Sequence, residues 1–295
     1  MKLAKFERGP MAVKSEFIQV NRLQLHYREW GNPKDSHALI FLHGFAATSR
    51  IWDEVAEELS KDFRVIAIDQ RGHGESDIDP NHDYSRTSQV DDIHGIVELL
   101  ELETVTLIGH SMGGANAICY AADRPDIVSA LVVVETAGDM LRSGVERLKR
   151  LLKSGDEFNS LSEAANALYE YQSYAAPDQI HRRALATFTE TPEGTWIWNF
   201  DNSFRNPTVR PPDPDPGQRR LADLGESAEK VVCPVMIVRG GKTDMYTPES
   251  VQRLSRRMAN ARISLIEEVG HHIPTDDPGT LSLNIREFLQ SLPVI

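Results

Sequence analysis

The sequence predicts an α/β protein: a mostly parallel sheet flanked by helices, with an inserted, mainly helical cap. Three observations predict it. Short apolar runs recur along the chain (ALIFL, VIAI, VTLI, ALVVV and VMIV), continuous rather than alternating, as in strands buried on both faces. Stretches with apolar residues at helical spacing separate most of them, and strand alternating with helix builds a parallel sheet through right-handed crossovers. One long segment, residues 138–230, carries helical periodicity but no convincing buried run, and reads as an insertion into that alternation.

The elements follow in order. Phe17 to Val20 and Leu23 to Tyr27 alternate with period two, and the Asn21-Arg22 step between them suits a hairpin, so the chain opens antiparallel. Ala38 to Leu42 is the first doubly buried strand, Ile51 to Leu59 a helix, Val65 to Ile68 the next strand and Ser88 to Leu102 the next helix. Val105 to Ile108 and Ala130 to Val134 are strands separated by a small-residue helix that includes Ala115 to Ile118. In the insertion, LRSGVERLKRLL and SEAANALYEY have helical spacing, and nine of the chain's 21 aromatics lie there, which gives it apolar surface of its own. It ends in the proline-rich NPTVRPPDPDP, which neither a helix interior nor a central strand accommodates and which predicts a stiff, extended connector. The alternation then resumes with strands at Val235 to Val238 and Ile263 to Ile266 and helices at Val251 to Met258 and Leu281 to Leu289. The expected organisation is therefore core 1–137, cap 138–230, core 231–295.

A net charge of −12 argues against a nucleic-acid partner, because phosphate binding needs clustered Lys and Arg. Cys119 and Cys233 are too few for a disulfide framework and read as small buried packers. Glu7, Arg8 and Gly9 interrupt the place where a signal peptide needs an apolar stretch, and no run is long enough for a membrane span, so the expected compartment is the cytoplasm. Oligomeric state stays open, a homo-oligomer among the options.

The sharpest motif is Gly109-His110-Ser111-Met112-Gly113, lying between VTLI and a helix. In a strand-turn-helix of pattern G-x-S-x-G the serine occupies a sharp turn that leaves no room for neighbouring side chains, and its hydroxyl projects over the carboxyl ends of the strands. Ligands of open α/β sheets bind there. A serine hydroxyl is a weak nucleophile near neutral pH and needs a base to take its proton and a carboxylate to orient that base. Asp244, in a glycine-containing turn after VMIV, and His271, in the stretch leaving ISLI, complete the chain order Ser, Asp, His, each just past a different strand.

With these motifs the chain resembles the α/β-hydrolase superfamily over nearly its whole length apart from the first dozen residues and the cap. LHGF (Leu42 to Phe45), DQRGHGESD (Asp69 to Asp77), the RGGKTD turn and GHHIPTDDP (Gly270 to Pro278) carry the resemblance beside GHSMGG. It implies a sheet of the eight-stranded type, Ser111 as nucleophile, His271 as general base and then acid, and Asp244 as orienting acid. It also implies an oxyanion hole from the backbone N–H groups of Phe45 and Met112 and no metal or organic cofactor. Each role has a competitor. His272 adjoins His271, but the Gly-His pair at 270–271 matches the family. Glu135, ending ALVVV, is the main rival of Asp244, since some members place the acid there. His110 reads as a packed neighbour of the nucleophile, and His43, Asp69 and His73 as loop-fixing residues. Asp276 and Asp277 are expected to begin the last helix, where carboxylates suit its positive end.

A serine at this position implies acyl chemistry on a small-molecule substrate: a carboxylic ester first, then lactone, amide or thioester. The alternative is carbon-carbon cleavage of a vinylogous diketone, as in the meta-cleavage-product hydrolases, which usually carry Asn where this chain has His110. A non-catalytic or single-turnover receptor on the same fold is the reading from another class. Met140, Trp196, Trp198, Met245 and Tyr246 are the expected pocket residues, predicting an apolar or aromatic acyl group. Arg205 and Arg210 are candidates to hold a carboxylate, but the solvated surface is their expected place.

Overall fold

The computed structural model describes residues 13–171, 176–206 and 224–293. An eight-stranded sheet runs in the order β1-β2-β4-β3-β5-β6-β10-β11. The strands are β1 (Lys14–Val20), β2 (Leu23–Trp30), β3 (His37–Leu42), β4 (Arg64–Ile68), β5 (Thr104–His110), β6 (Val128–Val134), β10 (Val235–Gly240) and β11 (Ala261–Ile266). β1 pairs antiparallel with β2 and β2 with β4; every later pairing in this sheet is parallel. Asn21 and Arg22 both have positive φ, 48° and 68°, the backbone a two-residue hairpin turn of the primed type needs.

The continuous apolar runs become strands with two inward faces. In β3, Ala38, Ile40 and Leu42 pack into one hydrophobic cluster while Leu39 and Phe41 pack into the other. The first cluster is roofed by α2 (Arg86–Leu99), α3 (Met112–Asp123), the helical residues 224–230 (α7) and α8 (Pro248–Arg257). The second is roofed by α1 (Asp53–Leu59) and α10 (Pro278–Gln290), through side chains such as Val55, Leu59, Ile285 and Phe288. Parallel strands all point their carboxyl ends the same way, so the loops after β3, β5, β6, β10 and β11 share one rim.

Between β6 and β10 the chain leaves the sheet. It forms α4 (Arg142–Lys153), α5 (Leu161–Tyr171) and α6 (Pro177–Thr187), and also a small antiparallel sheet of β7 (Glu157–Phe158), β8 (Phe188–Glu190) and β9 (Trp196–Trp198), in the order β7-β9-β8. These strands correct the expectation that the segment lacks them. At two or three residues each they are too short to show a period. Leu151, Phe158, Leu168, Ile180, Phe188, Trp198 and Phe200 form a separate cluster here, with the Phe188 and Trp198 rings 4.3 Å apart.

The segment is fastened to the rim at several places. Ser143 donates to the Asp244 carbonyl at 2.9 Å, and the Gln179 amide and Arg182 guanidinium donate to the carbonyls of Asp276 (2.9 Å) and Thr275 (3.3 and 3.2 Å). Tyr84 donates to Asp201 at 2.5 Å. The predicted connector lies, beyond Asn206, outside the described residues, as does Arg210. Arg205 is not on the solvated surface: its guanidinium donates to the Ser154 carbonyl at 2.6 Å and lies 5.3 Å from the Trp198 ring.

Candidate active site

Ser111 sits between β5 and α3 with φ 51°, a left-handed backbone that costs a non-glycine residue energy and is held only by its surroundings. The hold is visible. The Ser111 N–H donates to the Val134 carbonyl of β6 at 2.9 Å, the Thr136 hydroxyl donates to the Ser111 carbonyl at 2.8 Å, and the Gly113 N–H donates to the His43 carbonyl at 3.1 Å. Two glycines of the motif are required by proximity: a Cβ on Gly109 would lie 2.4 Å from the Gly113 carbonyl oxygen, and one on Gly113 would lie 2.3 Å from that of Leu42. The same closeness draws the loop after β3, which carries Phe45, to the start of α3. Met112 opens that helix, so its N–H belongs to the first turn, where no intrahelical carbonyl is available to it.

Ser111, His271, Phe45 and Met112 line one cavity of about 80 Å³. His271, 4% exposed, follows β11. Its Nδ1 lies 3.0 Å from Glu135 Oε2. The carboxylate that meets the imidazole is therefore Glu135's and not Asp244's, which corrects the expected pairing. Glu135 directly follows β6, its side chain is fully buried, and its φ is 51°. Oε1 accepts the Gly240 N–H at 2.7 Å and Oε2 accepts the Thr243 hydroxyl at 2.7 Å. Burial pushes Glu135 up to about 7, against the opposite pull of those two donors. Asp244 instead pairs with Arg147 of α4, is one-third exposed, and its Oδ1 has no hydrogen-bond partner among the described residues. Both carboxylates follow strands; only the one beside β5 reaches the imidazole.

The neighbouring histidines divide as their surroundings dictate. His110 Nε2–H donates to the His271 carbonyl at 2.8 Å, and its ring lies 4.8 Å from that of His271. Burial and the adjacent His271 lower His110 to about 3, and burial with the charge of Arg183 lowers His272 well below the usual range, so both are neutral at physiological pH. His43 accepts the Gln70 N–H at Nε2 (2.9 Å) and donates from Nδ1 to the Gly44 carbonyl (2.8 Å), bracing its loop. Asp69 is engaged by His26 (2.7 Å), the Ser49 N–H (2.6 Å) and the Glu75 N–H (3.1 Å), while His73 is buried beside it in the same loop. Asp277 caps α10 by accepting the Thr280 N–H at 3.0 Å, whereas Asp276 ends the short α9 (Ile273–Asp276), buried.

Of the expected pocket residues, Met140, Trp198 and Met245 line the cavity. Trp196 and Tyr246 do not. Trp196 packs against the inserted segment's own cluster, and Tyr246 is fully buried in the main core, 6.2 Å from the His271 ring. Sequence reasoning missed Leu148, Leu168, Arg183, Thr187 and Thr275, which also line the cavity. Arg183 had a weak signal: one arginine of an Arg-Arg pair at i+3 from Ile180 falls on the buried side of α6. Among the described residues no cluster of His, Cys, Asp and Glu could hold a metal ion, and no helix is long and apolar enough to cross a membrane.

The chain is 25% identical over 281 residues to a 2-(acetamidomethylene)succinate hydrolase of Mesorhizobium japonicum, covering 94% of this chain and 95% of the relative. It is 26% identical to an esterase of Mycobacterium tuberculosis, covering 89% and 85%. A solved structure of E-2-(acetamidomethylene)succinate hydrolase superposes with a TM-score of 0.79 at 25% identity over 95% of this chain and all of that one. An alpha/beta hydrolase from Novosphingobium aromaticivorans superposes with a TM-score of 0.82 at 22% identity over 96% of this chain and all of that one, a likeness of fold. With the family model for the alpha/beta hydrolase fold matching residues 37–278, on top of the sheet order and the strand-turn-helix at Ser111, the chain belongs to the α/β-hydrolase family.

Proposed function

We propose that the protein is a serine hydrolase that cleaves a carboxylic ester through an acyl-enzyme on Ser111, with Glu135 in the role first expected of Asp244. The observation that carries this reading is the His271 imidazole, which lines the cavity with Ser111 and has Nδ1 3.0 Å from a buried carboxylate. With Nδ1–H donating to Glu135, Nε2 holds the lone pair that takes the Ser111 proton as the oxygen attacks the carbonyl. The N–H groups of Phe45 and Met112 stabilise the negative oxygen of the tetrahedral intermediate. His271 then gives its proton to the leaving alkoxide, and a water deprotonated by the same Nε2 releases the acid.

Glu135 stabilises the imidazolium while that proton is in transit. Neutral His110 and His272 add no competing positive charge. The small cavity, with Leu148, Leu151 and Leu168 in its walls, suits a short acyl group. That similar proteins are named as esterase and hydrolase supports the reaction class. The test is multiple turnover of p-nitrophenyl acetate and butyrate, with a Ser111→Ala control. Absence of turnover, or turnover that survives that substitution, overturns the proposal. Cleavage of a ring-fission dienoate with little activity on esters moves the chemistry to carbon-carbon bonds.

A further inference from the structure

We infer that His110 is a positioning residue for the proposed base: its ring, wedged between the loop at Gly44 and the loop at His271, holds the His271 imidazole in line with Ser111. This rests on the acyl-transfer reading and adds to it a residue that acts through another. His110 is the last residue of β5, directly before Ser111, and is 3% exposed. A main-chain carbonyl only accepts, so the one proton of the neutral ring is on Nε2, which donates to the His271 carbonyl at 2.8 Å. Nδ1 is left bare and has no hydrogen-bond partner among the described residues.

The other side of the ring meets the loop after β3. A Cβ on Gly44 would lie 2.7 Å from His110 Nδ1 and 3.1 Å from Cε1, so the ring fills the space that any side chain at position 44 would need. Gly44 precedes Phe45, the proposed oxyanion donor, and both line the cavity with His110. One side chain thus joins the strand of the nucleophile, the loop of the oxyanion donor and the loop of the base. Its bond ends on the backbone of His271 itself, and a reacting group misplaced by about 1 Å can cost about 100-fold in rate. Burial and the adjacent His271 keep His110 neutral, so it steadies the base without opposing the positive charge that His271 gains.

The experiment separates the hydrogen bond from the ring with two amides. The amide nitrogen of Gln stands near the place of histidine Nε2 and that of Asn near the place of Nδ1, so only Gln presents a donor to the His271 carbonyl. Turnover of p-nitrophenyl acetate and butyrate is measured for the wild type and both variants, with circular dichroism to show the fold and fluorophosphonate labelling of Ser111 at completion to count active enzyme. His110→Asn should lower kcat by about 30-fold on both esters and leave KM within about 2-fold, since the base serves acylation and deacylation alike. His110→Gln should stay within about 5-fold of the wild type. Gly44→Ala should cost at least about 10-fold more in the wild type than beside His110→Ala, because the methyl meets the ring only where the ring is present.

Losses that differ between acetate and butyrate and fall on KM make His110 a wall of the cavity and overturn the inference. So do full activity in His110→Asn, a His110→Gln as slow as His110→Asn, and equal costs of Gly44→Ala in both backgrounds. Where His110→Asn does not fold, His110→Gln decides: a loss of about 30-fold or more in it overturns the inference. Each of these results leaves the acyl-transfer reading intact so long as the wild type turns over and Ser111→Ala does not. If the wild type cleaves neither ester, the rate at which fluorophosphonate labels Ser111 replaces kcat in the same comparison. A wild type that also resists labelling brings down the reading and the inference together.

Discussion

Exchanging the acids by amides, Glu135→Gln and Asp244→Asn, separates the two carboxylates that follow strands on the same rim. In Glu135→Gln, the atom facing the Gly240 N–H at 2.7 Å must remain oxygen, because a backbone N–H only donates. The amide NH₂ then falls at the Oε2 position, against Thr243 and against His271 Nδ1 at 3.0 Å. The Thr243 hydroxyl can turn and accept. The imidazole has no such freedom: a donor facing Nδ1 drives its proton to Nε2, the nitrogen that must be bare to receive the Ser111 proton. An amide at the orienting position of a serine triad lowers kcat by about 10⁴-fold through this wrong tautomer, and that is the expected loss here. Asp244→Asn removes only a partly exposed pair with Arg147 and should leave kcat within about 3-fold. The assay is steady-state hydrolysis of p-nitrophenyl butyrate, with circular dichroism to show that both variants fold. A loss of about 10³-fold or more in Asp244→Asn, with Glu135→Gln retaining activity, would refute the reasoning.

Ser111→Ala should reduce turnover by about 10⁶-fold and abolish fluorophosphonate labelling, read by intact-protein mass spectrometry; label on another residue refutes the nucleophile. Activity should fall as the medium is acidified through about 7, where burial places the Glu135 carboxyl, because protonating it removes the charge that faces His271 Nδ1, and should level off above that pH. Because His110 and His272 stay neutral throughout, the acid limb of log kcat/KM should have the slope of a single proton; a steeper limb contradicts their neutrality. Gly113→Ala, which sets a methyl 2.3 Å from the Leu42 carbonyl oxygen, should destabilise the fold by about 1–3 kcal/mol in urea denaturation, and an unchanged midpoint would show that the elbow yields.

The sheet was legible because its strands are buried on both faces and so advertise themselves as apolar runs. Ser111 was legible because Gly109 and Gly113 answer backbone contacts that no other residue satisfies. The acid was not legible by the same route. Glu135 and Asp244 each follow a strand, and which of them faces His271 depends on the neighbours that occupy the other, here Arg147 on Asp244. The inserted segment hid its small sheet in strands of two and three residues. It also hid its contribution to the cavity, because Arg183, a charged residue on a buried helix face, breaks the pattern that marks such faces.

The main-chain stitch between β5 and β6 has a mechanical corollary. Ser111 and Glu135 both occupy left-handed backbone at the tips of adjacent strands, joined by the Ser111 N–H to Val134 bond and by Thr136 reaching back to Ser111. The proposed nucleophile and acid thus ride on adjacent strands, while His271 arrives from β11 and is tied to β5 by the His110 bond to its carbonyl. If the proposed relay operates, heating should disturb it first where the His271 loop meets β5 and β6, through the bonds from His110 and to Glu135.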